Sequence, residues 1–311
     1  MARRAGTIGP RASAAREGDL PYPARMTLYR LHHAEGAAEP LIAPTMIAAF
    51  DGWVDAGSAA TVAADHLAAD GRVVATFDAD QLYDYRARRP TLEIVDGRPG
   101  ELTWPELRLR RSRVGSHDVL ILSGPEPDFR WHELTGALVD IARELGVVEW
   151  LSLGAIPAGV PHTRQVPLMG TESRPGLLRG DVAPGPSGVL RVPAAAISVI
   201  DLAATGAGIP AVGYYAQVPH YVSGPYPDAS IALIRAVGRR LGAEIAVDDL
   251  EEEARGIRTR LDAAVAVDES TRAYVERLEV TADETSGPSS GDLIGEIERF
   301  LRSQGGNNLP N

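Results

Sequence analysis

Between about residues 45 and 240, short and nearly unbroken apolar runs alternate with segments of helical period. The runs occupy 45–50, 72–77, 118–122, 147–153 and 210–216. Runs this short with few polar breaks predict strands covered on both faces. Strands alternating with helical patterns predict a layered α/β domain. Leu134, Leu138, Ile141 and Leu145 return every three or four residues and make one helical face, which Gly146 closes as a C-terminal cap. A further helix is expected from Ala56 through Val62 and Leu67 to Ala69. Segments 82–113 and 170–193 are rich in Pro, Gly and Arg and predict excursions from the sheet, as hairpins or long loops.

Beyond residue 240 the pattern changes to acidic helices. Leu250, Ala254, Ile257, Leu261 and Ala264 form a stripe, while Glu251 with Arg255 and Arg258 with Asp262 stand one helical turn apart. Residues 244–284 hold thirteen acidic and five basic side chains, so most of the chain's net charge of −11 is local to this stretch. A Ser/Gly/Pro break at 285–291 precedes a last helical pattern with Leu293, Ile297, Phe300 and Leu301 on one face, and 305–311 should fray. The expected organisation is a disordered tail at 1–25, an α/β core at 26–240 and an acidic helical extension at 241–311. Met26 offers an alternative start.

Composition narrows the chemistry. Of the 311 residues, 44% are apolar and 23% charged, ordinary globular proportions. There is no cysteine and no lysine, which removes disulfides, thiolate metal sites, Schiff bases and the phosphate-loop lysine. The net negative charge argues against nucleic acid, whose phosphates need clustered cations. No apolar run approaches the roughly 20 residues that span a bilayer, so the expected location is the cytoplasm, away from membranes. The histidines are scattered apart from His32 and His33, giving no metal-ligand spacing, and neither a nucleophile elbow nor a dinucleotide fingerprint is present. No metal and no cofactor is therefore expected; Thr205-Gly206-Ala207-Gly208 reads as a turn.

The candidate side chains follow predicted strands: Asp51, Trp53 and Asp55 after the first run, Glu126 after the third, His162, Thr163 and Arg164 after the fourth, His220 after the fifth. In an open α/β sheet ligands sit beyond the carboxyl ends of the strands, so these loops are expected to share a crevice. Asp55 suits either a helix cap or a catalytic carboxylate. Glu126, in a proline-stiffened loop, suits either a general base or an ion pair with arginine. His162 and Arg164 are the residue types that move protons and grip carboxylates or phosphates, and His220 is a second proton carrier. A buried, hydrogen-bonded histidine is the plainer reading of either imidazole.

These same residues carry a resemblance to the PAC2 (proteasome assembly chaperone 2) family in its actinobacterial form. It rests on Phe50-Asp51-Gly52-Trp53-Val54-Asp55-Ala56-Gly57, on Leu82-Tyr83-Asp84-Tyr85-Arg86 with Arg89-Pro90, on the stretch 124–131, and on Leu153-Gly154-Ala155 with Val160-Pro161-His162-Thr163-Arg164. It continues through Val218-Pro219-His220-Tyr221-Val222, Tyr274-Val275-Glu276-Arg277-Leu278-Glu279 and 290–302. Gln165 stands where proline is expected after His-Thr-Arg. The resemblance implies a three-layer α/β/α core similar to the nucleoside phosphorylase and hydrolase fold, with a helical C-terminal extension. It also implies a homo-oligomer, a trimer being one such assembly, and a protein client, since eukaryotic relatives guide assembly of proteasome α-rings. Two function classes follow: a protein-interaction or assembly factor, or a small-molecule binder or enzyme acting on a nucleoside-like or carboxylate ligand in the crevice.

Overall fold

The computed structural model describes residues 27–32, 40–180 and 182–286. The tail 1–25 and the helical pattern at 293–301 lie outside the described residues. The strands are β1 (Tyr29–Leu31), β2 (Thr45–Asp51), β3 (Arg72–Phe77), β4 (Thr91–Val95), β5 (Arg98–Thr103), β6 (Arg108–Val114), β7 (His117–Pro125), β8 (Glu149–Ala158), β9 (Leu168–Glu172), β10 (Ala183–Pro184) and β11 (Ala211–Pro219). The helices are α1 (Ala59–Leu67), α2 (Ala79–Leu82), α3 (Trp131–Glu144), α4 (Ala196–Gly206), α5 (Pro227–Leu241), α6 (Asp248–Val267) and α7 (Glu269–Ser286).

The large sheet has the order β1-β3-β6-β7-β2-β8-β11-β9-β10, and β4 and β5 pair apart from it. Its centre, β7-β2-β8-β11, is parallel, so the carboxyl ends of those strands share an edge. β2 shows why: Ile47 and Ala49 join one apolar cluster with α1 and α5, while Met46, Ala48 and Phe50 join another with α3 and α4. A strand buried on both faces needs no polar alternation. The result is a mixed α/β fold with helices on both faces of the sheet. α6 lays Leu250, Ala254, Ile257 and Leu261 of its stripe against the first cluster, while Ala264, the last member expected, is exposed.

Three local expectations are revised. The helix expected from Ala56 begins as a single tight turn; the chain passes through left-handed conformations at Gly57 and Ser58 (φ 64 and 52) before α1 opens. The segment 82–113 does hold a hairpin, β4-β5, but its end is β6, a strand of the main sheet whose arginines hid it. Segment 170–193 likewise carries the end of β9, antiparallel to β11. Gly146 follows α3 at φ 70, the left-handed cap a glycine supplies without strain. Thr205 and Gly206 finish α4, and Gly208 turns the chain toward β11.

Candidate functional site

The loop after β2 is held by its own polar side chains. Asp55 is buried, and its Oδ1 accepts from the backbone N–H of Ala60 (2.7 Å) and Thr61 (3.3 Å), while Oδ2 accepts the Thr61 hydroxyl at 2.5 Å. It therefore caps α1 across the tight turn, satisfying two of the helix's free donors. Burial pushes its carboxyl above the ordinary range, against those hydrogen bonds. Asp51 faces solvent and pairs with Arg88 at 3.6 Å. The Trp53 ring is exposed, while the residue's backbone N–H donates to Glu126 Oε2 at 3.3 Å.

Glu126 joins two loops. Its Oε1 accepts from the N–H of Ala196 (2.7 Å), the first residue of α4, and its own N–H donates to the Asp51 carbonyl at 2.8 Å. α4 has no cap of its own, so this carboxylate from the β7 loop supplies one, with the helix dipole adding to the attraction. Gly52 makes the approach possible: a Cβ there would stand 2.8 Å from Glu126 Oε2.

The second group meets α6 and α7. His162 is 3% exposed, its N–H donates to Tyr221 Oη at 2.8 Å, and its Nδ1 lies 2.8 Å from the same oxygen. The Asp262 Oδ1 of α6, 3.2 Å from Nε2, can only accept, so Nε2 donates to it and the neutral ring leaves Nδ1 to accept the Tyr221 hydroxyl. Thr163 donates its hydroxyl to Glu279 of α7. Arg164 forks onto Asp283 of α7 through Nε (2.8 Å) and Nη2 (2.9 Å), and reaches Glu279 at 3.4 Å. His220 donates Nδ1–H to the Ala158 carbonyl at 3.1 Å, leaving Nε2 to accept from the Tyr274 hydroxyl of α7 at 3.3 Å. The rings of His162, His220, Tyr221 and Tyr274 meet edge to face.

The eight candidates thus divide. His162, Thr163 and Arg164 line a cavity of about 470 Å³ with Arg235, Arg258 and Asp228, and none of Asp51, Trp53, Asp55, Glu126 or His220 is in its wall. Asp51 instead borders a separate hollow of about 490 Å³ with Trp104, Glu106 and Arg108. The common crevice expected from the loop positions is replaced by two clusters, because helix capping engages Asp55 and Glu126 in one and the helical extension occupies the other. Among the described residues no group of three or more metal-ligating side chains converges, and no helix is long and apolar enough to cross a membrane.

A polar group between α4 and the sheet escaped sequence reasoning. Asp201 on α4 accepts the Ser152 hydroxyl of β8 at 2.5 Å, and the Trp150 indole N–H donates to that Ser152 oxygen at 3.1 Å. Burial pushes its carboxyl up to about 7. The available signal was Asp201 among Ile197, Ile200 and Ala204 on a buried helix face, opposite a lone serine in an apolar strand.

A sheet clasped at its carboxyl edge by an appended helical pair, its polar residues spent on joining segments, defines an α/β protein built around contacts between elements. The PAC2 family model matches residues 49–265, and the chain belongs to that family. A Streptomyces avermitilis PAC2 family protein is 37% identical with TM-score 0.66, covering 75% of this chain and 99% of that one. A Mycobacterium tuberculosis proteasome-assembly chaperone homologue, Rv2125, is 36% identical with TM-score 0.67, covering 74% and 99%. A Corynebacterium glutamicum protein of unknown function is 30% identical with TM-score 0.77, covering 84% and 98%. None of the curated proteins matches the chain.

Proposed function

We propose that this PAC2 protein is a protein-interaction or assembly factor resembling the proteasome assembly chaperones. The observation that carries the reading is the use made of the most reactive-looking side chains. Asp55 and Glu126 cap helices, and His162, Thr163, Arg164 and His220 bind the sheet to α6 and α7. A general base or nucleophile needs a face turned to substrate; these groups turn toward the chain itself. The printed description of the Mycobacterium tuberculosis relative as a proteasome-assembly chaperone homologue supports the same class. A core of the phosphorylase and hydrolase kind, which the family resemblance implies, would by itself add no activity, because function resides in the site.

In this reading the chain works in the cytoplasm as a homo-oligomer, a trimer being one form, with the core ending near residue 240 and the acidic extension offering surface to a protein client. The test is crosslinking in the living cell followed by affinity isolation of the tagged chain. A specific protein, recovered in repeat isolations and absent from an untagged control, is the expected outcome. A chain that remains monomeric in light scattering and crosslinks to nothing overturns the reading.

A further inference from the structure

We infer that α7 is a displaceable strap covering a docking face for an acidic helix of a partner protein. The two helices of the extension are attached by different means. α6 packs Leu250, Ala254, Ile257 and Leu261 against the first core cluster, whereas among the described residues no side chain of α7 joins either core cluster and Val275 is its one buried apolar side chain. Beside Val275 and the ring contacts of Tyr274 with His220 and Tyr221, its hold is polar: Asp283 and Glu279 on Arg164, Glu279 on Thr163, and Tyr274 on His220. Such contacts are replaceable by water and weakened by salt, while an apolar stripe is not.

What α7 covers is built to read a helix. Glu279 and Asp283 are one turn apart, so both carboxylates fall on one face, where the planar Arg164 guanidinium meets Asp283 in a fork and Glu279 beside it. Tyr274 reaches the fixed Nε2 acceptor of His220 from the preceding turn of the same helix. The face on the core is rigid, because His162 is locked between Tyr221 and Asp262. It accepts a helix bearing an aromatic hydroxyl, a carboxylate five residues on and a second carboxylate four residues further. α7 satisfies that pattern in cis, so a partner helix of the same chemistry competes with it, and the tether favours α7 until the partner is abundant or presented in multiple copies.

This inference rests on the assembly-factor reading, and its test uses no client. A fluorescent peptide of residues 268–286 is titrated into the full-length chain and into the Glu279→Gln/Asp283→Asn double variant, whose own strap is loosened. The double variant is expected to bind the peptide at least ten-fold more tightly than the unaltered chain, and adding Arg164→Gln is expected to abolish the gain. Equal binding by all three, or no binding to the double variant, overturns the strap. Should the variants misfold, hydrogen exchange on the unaltered chain decides: α7 amides should lose protection as NaCl rises while α1 and α5 keep theirs. Protection of α7 that ignores salt contradicts the inference. A failed strap with a client still recovered by crosslinking leaves the assembly-factor reading standing; no client and a working strap does the reverse.

Discussion

Asp55 and Asp201 are both carboxylates held by hydrogen bonds next to the sheet, and they fail in different ways. Asp55→Ala leaves the N–H groups of Ala60 and Thr61 without their acceptor, so it should cost about 1–2 kcal/mol, read from the midpoint of urea unfolding. Asp201 bears on pH. Its folded-state carboxyl titrates near 7 and its unfolded one near the ordinary value of 3.8, so between those values the folded chain holds a proton the unfolded chain lacks. Stability therefore falls as pH rises through that window and levels above it. Asp201→Asn, which keeps an acceptor for Ser152, should flatten the profile and stabilise the chain at pH 8 by roughly 2 kcal/mol. Thermal unfolding at pH 5 and pH 8 checks this; parallel profiles for the two proteins would refute it.

At the scale of elements, the apolar runs gave β2, β3, β7, β8 and β11 because buried strands carry their signal in every residue. β6 was hidden because Arg110, Arg111 and Arg113 stand where apolar residues would signal a strand, and they are spent on ion pairs with Asp65 and Asp118. Burial alone would push Asp118 up; the Ile42 N–H and the Arg111 guanidinium outweigh it and hold it below the ordinary range. The loops carrying the candidate side chains were legible, since strand ends in a parallel sheet locate them. Their partners were not: His162 meets Asp262 a hundred residues away, and no local pattern encodes that distance. Glu126 was legible as a rigid carboxylate but not as the cap of a helix 70 residues on. Glu126→Ala should speed amide exchange at Ala196 and Trp53 together and cost about 1 kcal/mol. Faster exchange at one of the two alone would contradict the shared joint.

Across the whole molecule, buried charge ties the helical layer to the sheet. Arg240 of α5 forks onto Glu149 at the start of β8 (2.9 and 2.5 Å), and also donates to Tyr214 Oη of β11 and the Leu177 carbonyl. Arg240→Met strands Glu149 beside the core and should cost about 3–5 kcal/mol, seen as a lowered calorimetric melting temperature; a change below about 1 kcal/mol would deny the joint its role. The same economy of polar groups runs to the extension, where acidic helices meet the sheet's edge through the very residues that looked catalytic. Native mass spectrometry of the tagged chain, gently isolated from its own cell lysate, bears most directly on whether those residues serve contacts or chemistry. An assembly factor should appear in a defined oligomer with a protein in fixed stoichiometry, whereas a monomer carrying a bound small molecule would contradict it and return His162 and Arg164 to a ligand site.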